Sequence, residues 1–315
     1  MTDGRVLCLG EALVDVVARG DQVGEHVGGS VLNVASGLAR LEHPASLASW
    51  WAKDRHGRLI EDAVHQAGVE IVPGSDGAER TSVAYATLDA EGKASYQFDL
   101  STAVPPLDLS RFGHTHTGSI GATVEPGGSQ VVEVVRRIRE RSTVSYDPNA
   151  RPTLMGSPQQ TVLRVEELVG LSDVVKASDE DVAWLYPGTS IEEVLRHWLS
   201  LGPALVVCTL GSQGAVAMLR DGQGLERVPP MTVTVGDTVG CGDSFMAGML
   251  SGLLADGLLG GPEARQRLAA ASWADVQPAL KRAVVTSGIT ATHAGAYGPT
   301  LPEVRGVQEA HPDLA

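Results

Sequence analysis

The chain has 315 residues, 43% of them hydrophobic, enough to bury the core of one large α/β domain or two smaller ones. Lys and Arg number 24 against 38 Asp and Glu, a formal charge of −14, and no basic tract offsets it, so nucleic acid is excluded as a partner. The three cysteines, Cys8, Cys208 and Cys241, are far apart and lack C-x-x-C spacing; this excludes a disulfide framework and a zinc site and fits a reducing cytoplasm. Met1–Arg5 leads straight into a strand-like run without a signal-peptide pattern, and no apolar run is long enough to cross a membrane.

Val6–Gly10 reads as a first buried strand. Glu11–Asp15 and the glycine-punctuated stretch after it read as a loop or short edge strands. The three- and four-residue steps from Val31 to Leu41 predict a helix opening after Gly28-Gly29-Ser30, with Ser30 as its N-cap and Asn33 in its first turn. Ala45–Trp50 is a second strand. A helix through Leu59–Ala67 closes on Gly68, and Val69–Val72 is a third strand. This β-α-β-α-β order predicts a parallel sheet. Ser82–Leu88 and Ala94–Phe98, flanking Asp89-Ala90-Glu91-Gly92, form a hairpin that interrupts the series and projects as a lid.

The series resumes with a strand at Phe112–His116, a helix at Val131–Arg139 and a strand at Val144–Tyr146. A helix around Val162–Val169, a strand at Val174–Ala177 and helices near Val182–Leu185 and Ile191–Leu201 follow. Ala204–Leu210 is an apolar strand, and Ala215–Leu219 with the segment around Val228 makes a second hairpin. Thr232–Val235 reads as a strand, Phe245–Leu254 as a helix, and Gln266–Trp273 and Pro278–Ala291 as two more. No linker cuts the chain, so the expected organisation is one domain over 1–304, lid strands at about 12–27 and 80–100, and a C-terminal tail over 305–315.

Chemistry concentrates in Asp237-Thr238-Val239-Gly240-Cys241-Gly242-Asp243, a glycine-rich turn opening a helix. Such a turn leaves backbone N–H groups unpaired at the positive end of the helix dipole, which makes an anion site. An acid inside a phosphate cradle is explained if it handles a proton or positions a nucleophile; otherwise Asp243 is a dipole-stabilising first-turn carboxylate. Neither GxxxxGK[ST] nor an early GxGxxG is present, so the turn is not a P-loop or a dinucleotide fingerprint. Asp15 and Asp147-Pro148-Asn149-Ala150-Arg151 each follow a strand at a carboxyl edge, where α/β sheets bind ligands. The second is also good turn composition. Ser178 with Asp181 reads as an ordinary helix start, and Lys176 as a strand-end lysine. His114 and His116 share a strand face without an acidic or cysteine partner, and read as core or loop-bonded histidines.

The run D-T-V-G-C-G-D from Asp237 to Asp243 resembles the DTxGAGD signature of the PfkB, or ribokinase-like, sugar kinases, with Cys241 where Ala is usual. Gly28-Gly29-Ser30-Val31-Leu32-Asn33 resembles the family's N-terminal signature, and the similarity extends from residue 5 to about 300. G-E-A-L-V-D from Gly10, T-G-S-I-G from Thr117, Y-D-P-N-A-R-P from Tyr146 and V-K-A-S-D-E-D from Val175 are similar to bacterial fructokinases.

The resemblance implies a three-layer α/β fold with a mostly parallel sheet and a small β lid. It also implies transfer of the γ-phosphoryl group of ATP to a sugar hydroxyl, fructose first, with 2-keto-3-deoxygluconate, ribose or a nucleoside as alternative acceptors. A silent sugar- or nucleotide-binding sensor on the same fold is the alternative of another class. In that family reading Asp243 accepts the hydroxyl proton while the N–H groups of Gly240, Cys241 and Gly242 steady the transferring charge. Asp15, Gly29 and Asn33 hold sugar hydroxyls, Gly28 allows close approach, Phe98 closes over the sugar, and Asn149 and Arg151 serve the sugar or phosphate region. Lys176 and Ser178 reach the phosphates. Thr209, Gly211 and Gly214 contact ATP, with the adenine pocket near Val284–Ala291. Ser178 and Asp181 stand where many members have Asn-x-x-Glu, and the shorter Asp181 reaches Mg²⁺ through water. Asp237 holds a monovalent cation such as K⁺ or caps its own turn; both readings stand. A homodimer through the lid is implied as well.

Overall fold

The computed structural model describes residues 4–19, 22–88, 94–220 and 224–314. Its strands and helices run β1 (Arg5–Leu9), β2 (Leu13–Arg19), β3 (Gln22–Gly28), α1 (Ser30–Arg40), β4 (Ala45–Ala48), α2 (Arg55–Gln66) and β5 (Glu70–Ile71). Then come β6 (Val83–Leu88), β7 (Ala94–Asp99), β8 (Phe112–Gly118), α3 (Gly127–Ile138), β9 (Thr143–Asp147), α4 (Pro152–Met155) and α5 (Pro158–Leu171). The later half holds β10 (Val174–Ser178), α6 (Asp179–Leu185), α7 (Ile191–Leu201), β11 (Leu205–Thr209), β12 (Ala215–Leu219) and β13 (Glu226–Val228). Helices α8 (Cys241–Ala255), α9 (Pro262–Ala269), α10 (Trp273–Ala291) and α11 (Leu301–Ala310) follow.

The main sheet has nine strands in the order β13-β12-β11-β10-β9-β8-β1-β4-β5. Pairing is parallel from β5 across to β11, and β12 and β13 close one edge antiparallel. Alternation along each strand builds two cores. Val6, Cys8, Val174 and Val207 face a cluster shared with α1, α8 and α10. Leu7, Leu9, Val144 and Val175 face the other, shared with α3, α5 and α7. A sheet buried on both faces is written as continuous apolar runs, which is why its strands read plainly from the sequence.

The second sheet has four strands in the order β3-β2-β6-β7. Here the expectation of a loop or short edge strands after Glu11 is corrected: β2 and β3 have seven residues each, and β2 is interior, paired to β3 and to β6. Val14, Val16 and Ala18 alternate with Asp15 and Val17 along β2, a two-residue period that the neighbouring glycines disguise. The expected hairpin pairs as β6 with β7, Ala84 opposite Phe98. Its turn, Asp89-Ala90-Glu91-Gly92, lies outside the described residues.

Four other expectations change. Thr232–Val235 forms no strand; it is irregular and largely exposed after Pro229 and Pro230, which lack the N–H needed to continue a ladder from β13. Pro278 sits inside α10 rather than opening it, because Asp275 accepts the Ser272 N–H at 2.8 Å and starts the helix upstream. Residues 305–310, expected as tail, belong to α11, capped by Thr300 with Glu303 and anchored by buried Leu301 and Val304. Gly29, at φ 122°, is the N-cap of α1, and Ser30 is its first helical residue. That shift of one position frees the Ser30 hydroxyl for another partner.

Candidate active site

The site lies where strands β1, β9, β10 and β11 end and α1 and α8 begin. Gly240 takes the left-handed conformation at φ 75°, and a Cβ there would come 2.6 Å from Ala296 Cβ, so glycine alone fits the turn. Helix α8 is apolar nearly all round and buried from Asp243 to Leu253, so its first turn is held rigidly against the body. Cys241 N–H donates to Thr238 O at 3.2 Å and closes the turn. Gly242 N–H and Asp243 N–H find no acceptor among the described residues, and Thr238, Val239 and Gly242 are exposed. The Cys241 N–H, expected on the anion, is thus spent within the turn, and the N–H groups left unpaired among the described residues are those of Gly242 and Asp243.

Asp243 itself is only 9% exposed. Ser30 Oγ donates to its Oδ1 at 2.6 Å and Asn33 Nδ2 to its Oδ2 at 2.7 Å. Burial pushes its pKa up, while Ser30, Asn33, Lys176 and Arg151 hold it down. Asn33, expected on the sugar, gives one amide N–H to the acid and keeps the other, with its carbonyl oxygen as an acceptor.

Lys176 is 3% exposed, so it is no surface lysine. Its Nζ lies 2.8 Å from Asp147 Oδ2. Burial disfavours its charge, but Asp147, Asp181 and Asp243 around it raise its pKa and keep it protonated. Burial pushes Asp147 up to about 6, and Lys176 limits the rise. The Asp-Pro-Asn segment is expected to matter through Asn149 and Arg151; Asp147, its first residue, is its buried charge. Arg151 is exposed, and its Nη1 donates to Asn149 Oδ1 at 2.8 Å in a turn where Asn149 adopts φ 37°. Its charge acts on both Asp15 and Asp243.

Asp15 lies on the lid opposite His26, and a Cβ at Gly28 would collide with its Oδ2, so any side chain there would displace the carboxylate. Burial raises its pKa, opposed by His26 and Arg151. Phe98 is half-buried against Leu13, Ala84, Ile120 and Met155, where the lid meets the body. Ser178 accepts Asp181 N–H at 3.0 Å, and Asp181 accepts Ser178 N–H at 2.8 Å and Ala150 N–H at 2.7 Å. Asp181 thus ties the 147–151 turn to α6 with one lone pair of each oxygen. The others are left for water, which fits an outer-sphere contact to Mg²⁺ and not a direct cage. Among the described residues no cluster of three His, Cys, Asp or Glu stands ready for a metal.

Thr209 ends β11, its hydroxyl bonded to Ala177 O at 3.4 Å, with Gly211 beyond it at φ 54°. Gly214, at φ 87°, sits against Val228 O and has a structural reason of its own in the β12–β13 hairpin. Asp237 accepts Val239 N–H at 3.1 Å and Gly295 N–H at 2.8 Å, so it caps its own turn and also joins the loop after α10. These N–H groups lower its pKa and keep an anion beside the 291–298 loop. Cys241 Sγ is half-buried, 4.0 Å from Asp237 O. Burial raises its pKa, with Asp237 adding to it.

Two residues escaped the sequence reading. Glu11 follows β1 and is buried; its oxygens accept Ser30 N–H at 3.1 Å and Gly121 N–H at 2.9 Å. Burial pushes its pKa up to about 7. A charged residue immediately after an apolar strand and its glycine was the available signal. Ser30 carried only a generic capping signal. His114 and His116 are core residues as read: His114 bonds Thr143 and Ser145, His116 bonds Ser145, and burial lowers both to about 3.

Comparison with known proteins adds the family. The description "pfkB family carbohydrate kinase" matches residues 3–303. A fructokinase from Rhizobium leguminosarum bv. trifolii is 33% identical over 267 residues, 81% of this chain and 81% of its own. One from Klebsiella pneumoniae is 32% identical over 267 residues, 81% of this chain and 86% of its own. A fructokinase double mutant from Vibrio cholerae O395, solved with fructose, ADP and potassium ion, superposes with a TM-score of 0.76 at 26% identity, covering 96% and 97% of the two chains. In fold, the ATP-bound fructokinase from Xylella fastidiosa is nearer, with a TM-score of 0.84 at 24% identity over 98% and 99%. The expected ribokinase-like α/β fold is the fold found. With a family match over nearly its whole length and curated relatives above 30% identity, the chain belongs to the pfkB carbohydrate kinases, phosphotransferases that act on a sugar hydroxyl.

Proposed function

We propose that this kinase phosphorylates fructose at the expense of ATP, giving fructose 6-phosphate and ADP. The observation that carries the catalytic part is the Asp243 carboxylate, buried, oriented by two donors from α1, and set beside unpaired N–H groups of its own helix turn. The choice of fructose is supported by the names of the relatives at 33% and 32% identity.

The sugar lies between the lid and the sheet edge, held by Asp15, Asn33 and the Gly28-Gly29 backbone, with Phe98 as the apolar wall. Asn149 and Arg151 border it. As the hydroxyl oxygen bonds to the γ-phosphorus and the bond to the ADP oxygen breaks, the hydroxyl proton passes to Asp243. Charge on the transferring group is met by Gly242 N–H, Asp243 N–H and the α8 dipole, with Gly240 shaping the turn and Cys241 closing it. Lys176 adds a buried positive charge beside the turn, and Arg151 an exposed one. ATP lies along the ends of β10 and β11, over Ser178, Thr209 and Gly211, with Gly214 setting the hairpin. Mg²⁺ would accompany the phosphates, with Asp181 the residue that would hold it through water. When bound, it neutralises phosphate charge. Asp237 and the 291–298 loop would hold a monovalent cation, K⁺ by analogy with the Vibrio cholerae relative, which was solved with potassium ion. The enzyme pairs through the lid, where Val23 and Tyr85 are 64% and 41% exposed.

The test is a coupled ADP-release assay across free hexoses, pentoses, keto-acids and nucleosides. Fructose should give the highest kcat/KM, with Asp243→Asn inactive. A different preferred acceptor replaces the substrate assignment, and no turnover on any of them would favour a sugar or nucleotide sensor.

A further inference from the structure

Both oxygens of Asp243 are engaged by α1, and α1 is itself held from behind. Glu11 reaches from the end of β1 to accept Ser30 N–H at 3.1 Å and, with its other oxygen, Gly121 N–H at 2.9 Å from the loop after β8. Ser30 then presents its hydroxyl to Asp243 Oδ1 at 2.6 Å. Glu11 is 8% exposed, Ser30 7% and Asp243 9%, so water does not stand in for any link. The first turn of α1 thus has one acceptor behind it and delivers two donors in front.

We propose that Glu11 and Ser30 form a positioning relay for Asp243. Glu11 fixes the first turn of α1, and that turn fixes the carboxylate in line with the acceptor hydroxyl. Neither residue touches the substrates; each acts through Asp243, and the inference rests on the proposed role of Asp243 as proton acceptor. A carboxylate that can rotate loses the alignment that phosphoryl transfer depends on. The relay also sets the basicity of Asp243. Other groups facing Asp243 are Lys176 from β10, Arg151 and Asp147 from the β9 turn, Cys241 on its own helix, and neutral Asn33 from α1. Removing the Ser30 donor leaves those groups in place and makes the buried acid easier to protonate.

The test is a double-mutant cycle in kcat with Ser30→Ala, Glu11→Gln and the pair, plus pH profiles. A Gln at position 11 keeps the shape but offers one acceptor where two N–H groups need one each. Each single variant should lower kcat about tenfold with KM for ATP unchanged, the cost expected of one lost aligned hydrogen bond. In a relay the double variant is no worse than the poorer single one. Ser30→Ala should also move the acidic limb of kcat/KM upward by about one pH unit, and Ser30→Thr, which keeps the hydroxyl, should restore it. A double variant down about a hundredfold, or an unmoved acidic limb in Ser30→Ala, overturns the relay. If Glu11→Gln does not fold, the Ser30→Ala and Ser30→Thr profiles decide alone. Asp243→Asn run alongside separates the two failures: activity kept there removes the base itself, whereas an inactive Asp243→Asn with an unmoved Ser30→Ala profile removes only the relay.

Discussion

Two buried aspartates stand at the same sheet edge and are treated in opposite ways. Asp147 is paired with a lysine, Nζ to Oδ2 at 2.8 Å, and is 1% exposed. Asp243 is held by a hydroxyl and an amide, both neutral, and borders an exposed glycine turn. Burial raises the pKa of both, Asp147 to about 6 even with Lys176 beside it, so what differs is the partner: a carboxylate facing a cation is committed to holding that charge. One held by neutral dipoles is oriented without being neutralised, and burial makes it a stronger base than a free aspartate. The contrast separates a residue that anchors a positive charge from one that can take part in chemistry.

The comparison breaks most visibly at the ion pair. Lys176→Ala should destabilise the fold by about 3–5 kcal/mol, since it leaves Asp147 buried without the cation that matched it. Denaturant unfolding measures it, and a loss under about 1 kcal/mol would show that the pair is not the anchor described. Lys176→Ala with Asp147→Asn should recover part of the loss, because no isolated charge remains.

Glu11 gives a smaller effect with a definite sign. Its pKa is raised in the fold from 4.5 to about 7, so the folded state holds a proton that the unfolded chain has released between those values. Its contribution to stability is complete below pH 4.5 and declines as pH rises through 7. Glu11→Gln should flatten that part of the stability curve, measured as Tm against pH. An identical slope in both proteins would remove Glu11 from the account. The smallest expected effect is at Cys241, whose half-buried thiol has a raised pKa. Iodoacetamide at neutral pH should modify it slowly, and activity should fall in step with modification followed by mass spectrometry. Full activity after stoichiometric labelling would show that the turn tolerates bulk at that position.

Much of this edge was legible in the residues. The apolar strand runs placed Asp147 and Thr209 at strand ends and Lys176 within a strand, and the glycine turn placed Asp243 at a helix start; Asp15, read as following the first strand at the sheet edge, lies instead inside β2 of the lid sheet. What stayed hidden depended on partners far away in sequence. Ser30 looks like an N-cap until Gly29, at φ 122°, takes that place and turns the hydroxyl toward an acid 213 residues away. Lys176 looks like a surface lysine until Asp147 is beside it. The strand-like Thr232–Val235 lacks a partner to pair with, and β2 is interior only because β6 arrives beside it. Local pattern fixes period and capping chemistry; pairing across the fold decides which of those signals is used.

The central claim is that Asp243 takes the proton of the acceptor hydroxyl. Rapid-quench transfer from ATP by Asp243→Asn, saturated with fructose and with sugar affinity measured by calorimetry, tests it most directly. The account predicts a variant that folds and binds sugar within a few-fold of the parent, yet transfers phosphate about a thousandfold more slowly. Transfer within tenfold of the parent, with sugar bound, would contradict it.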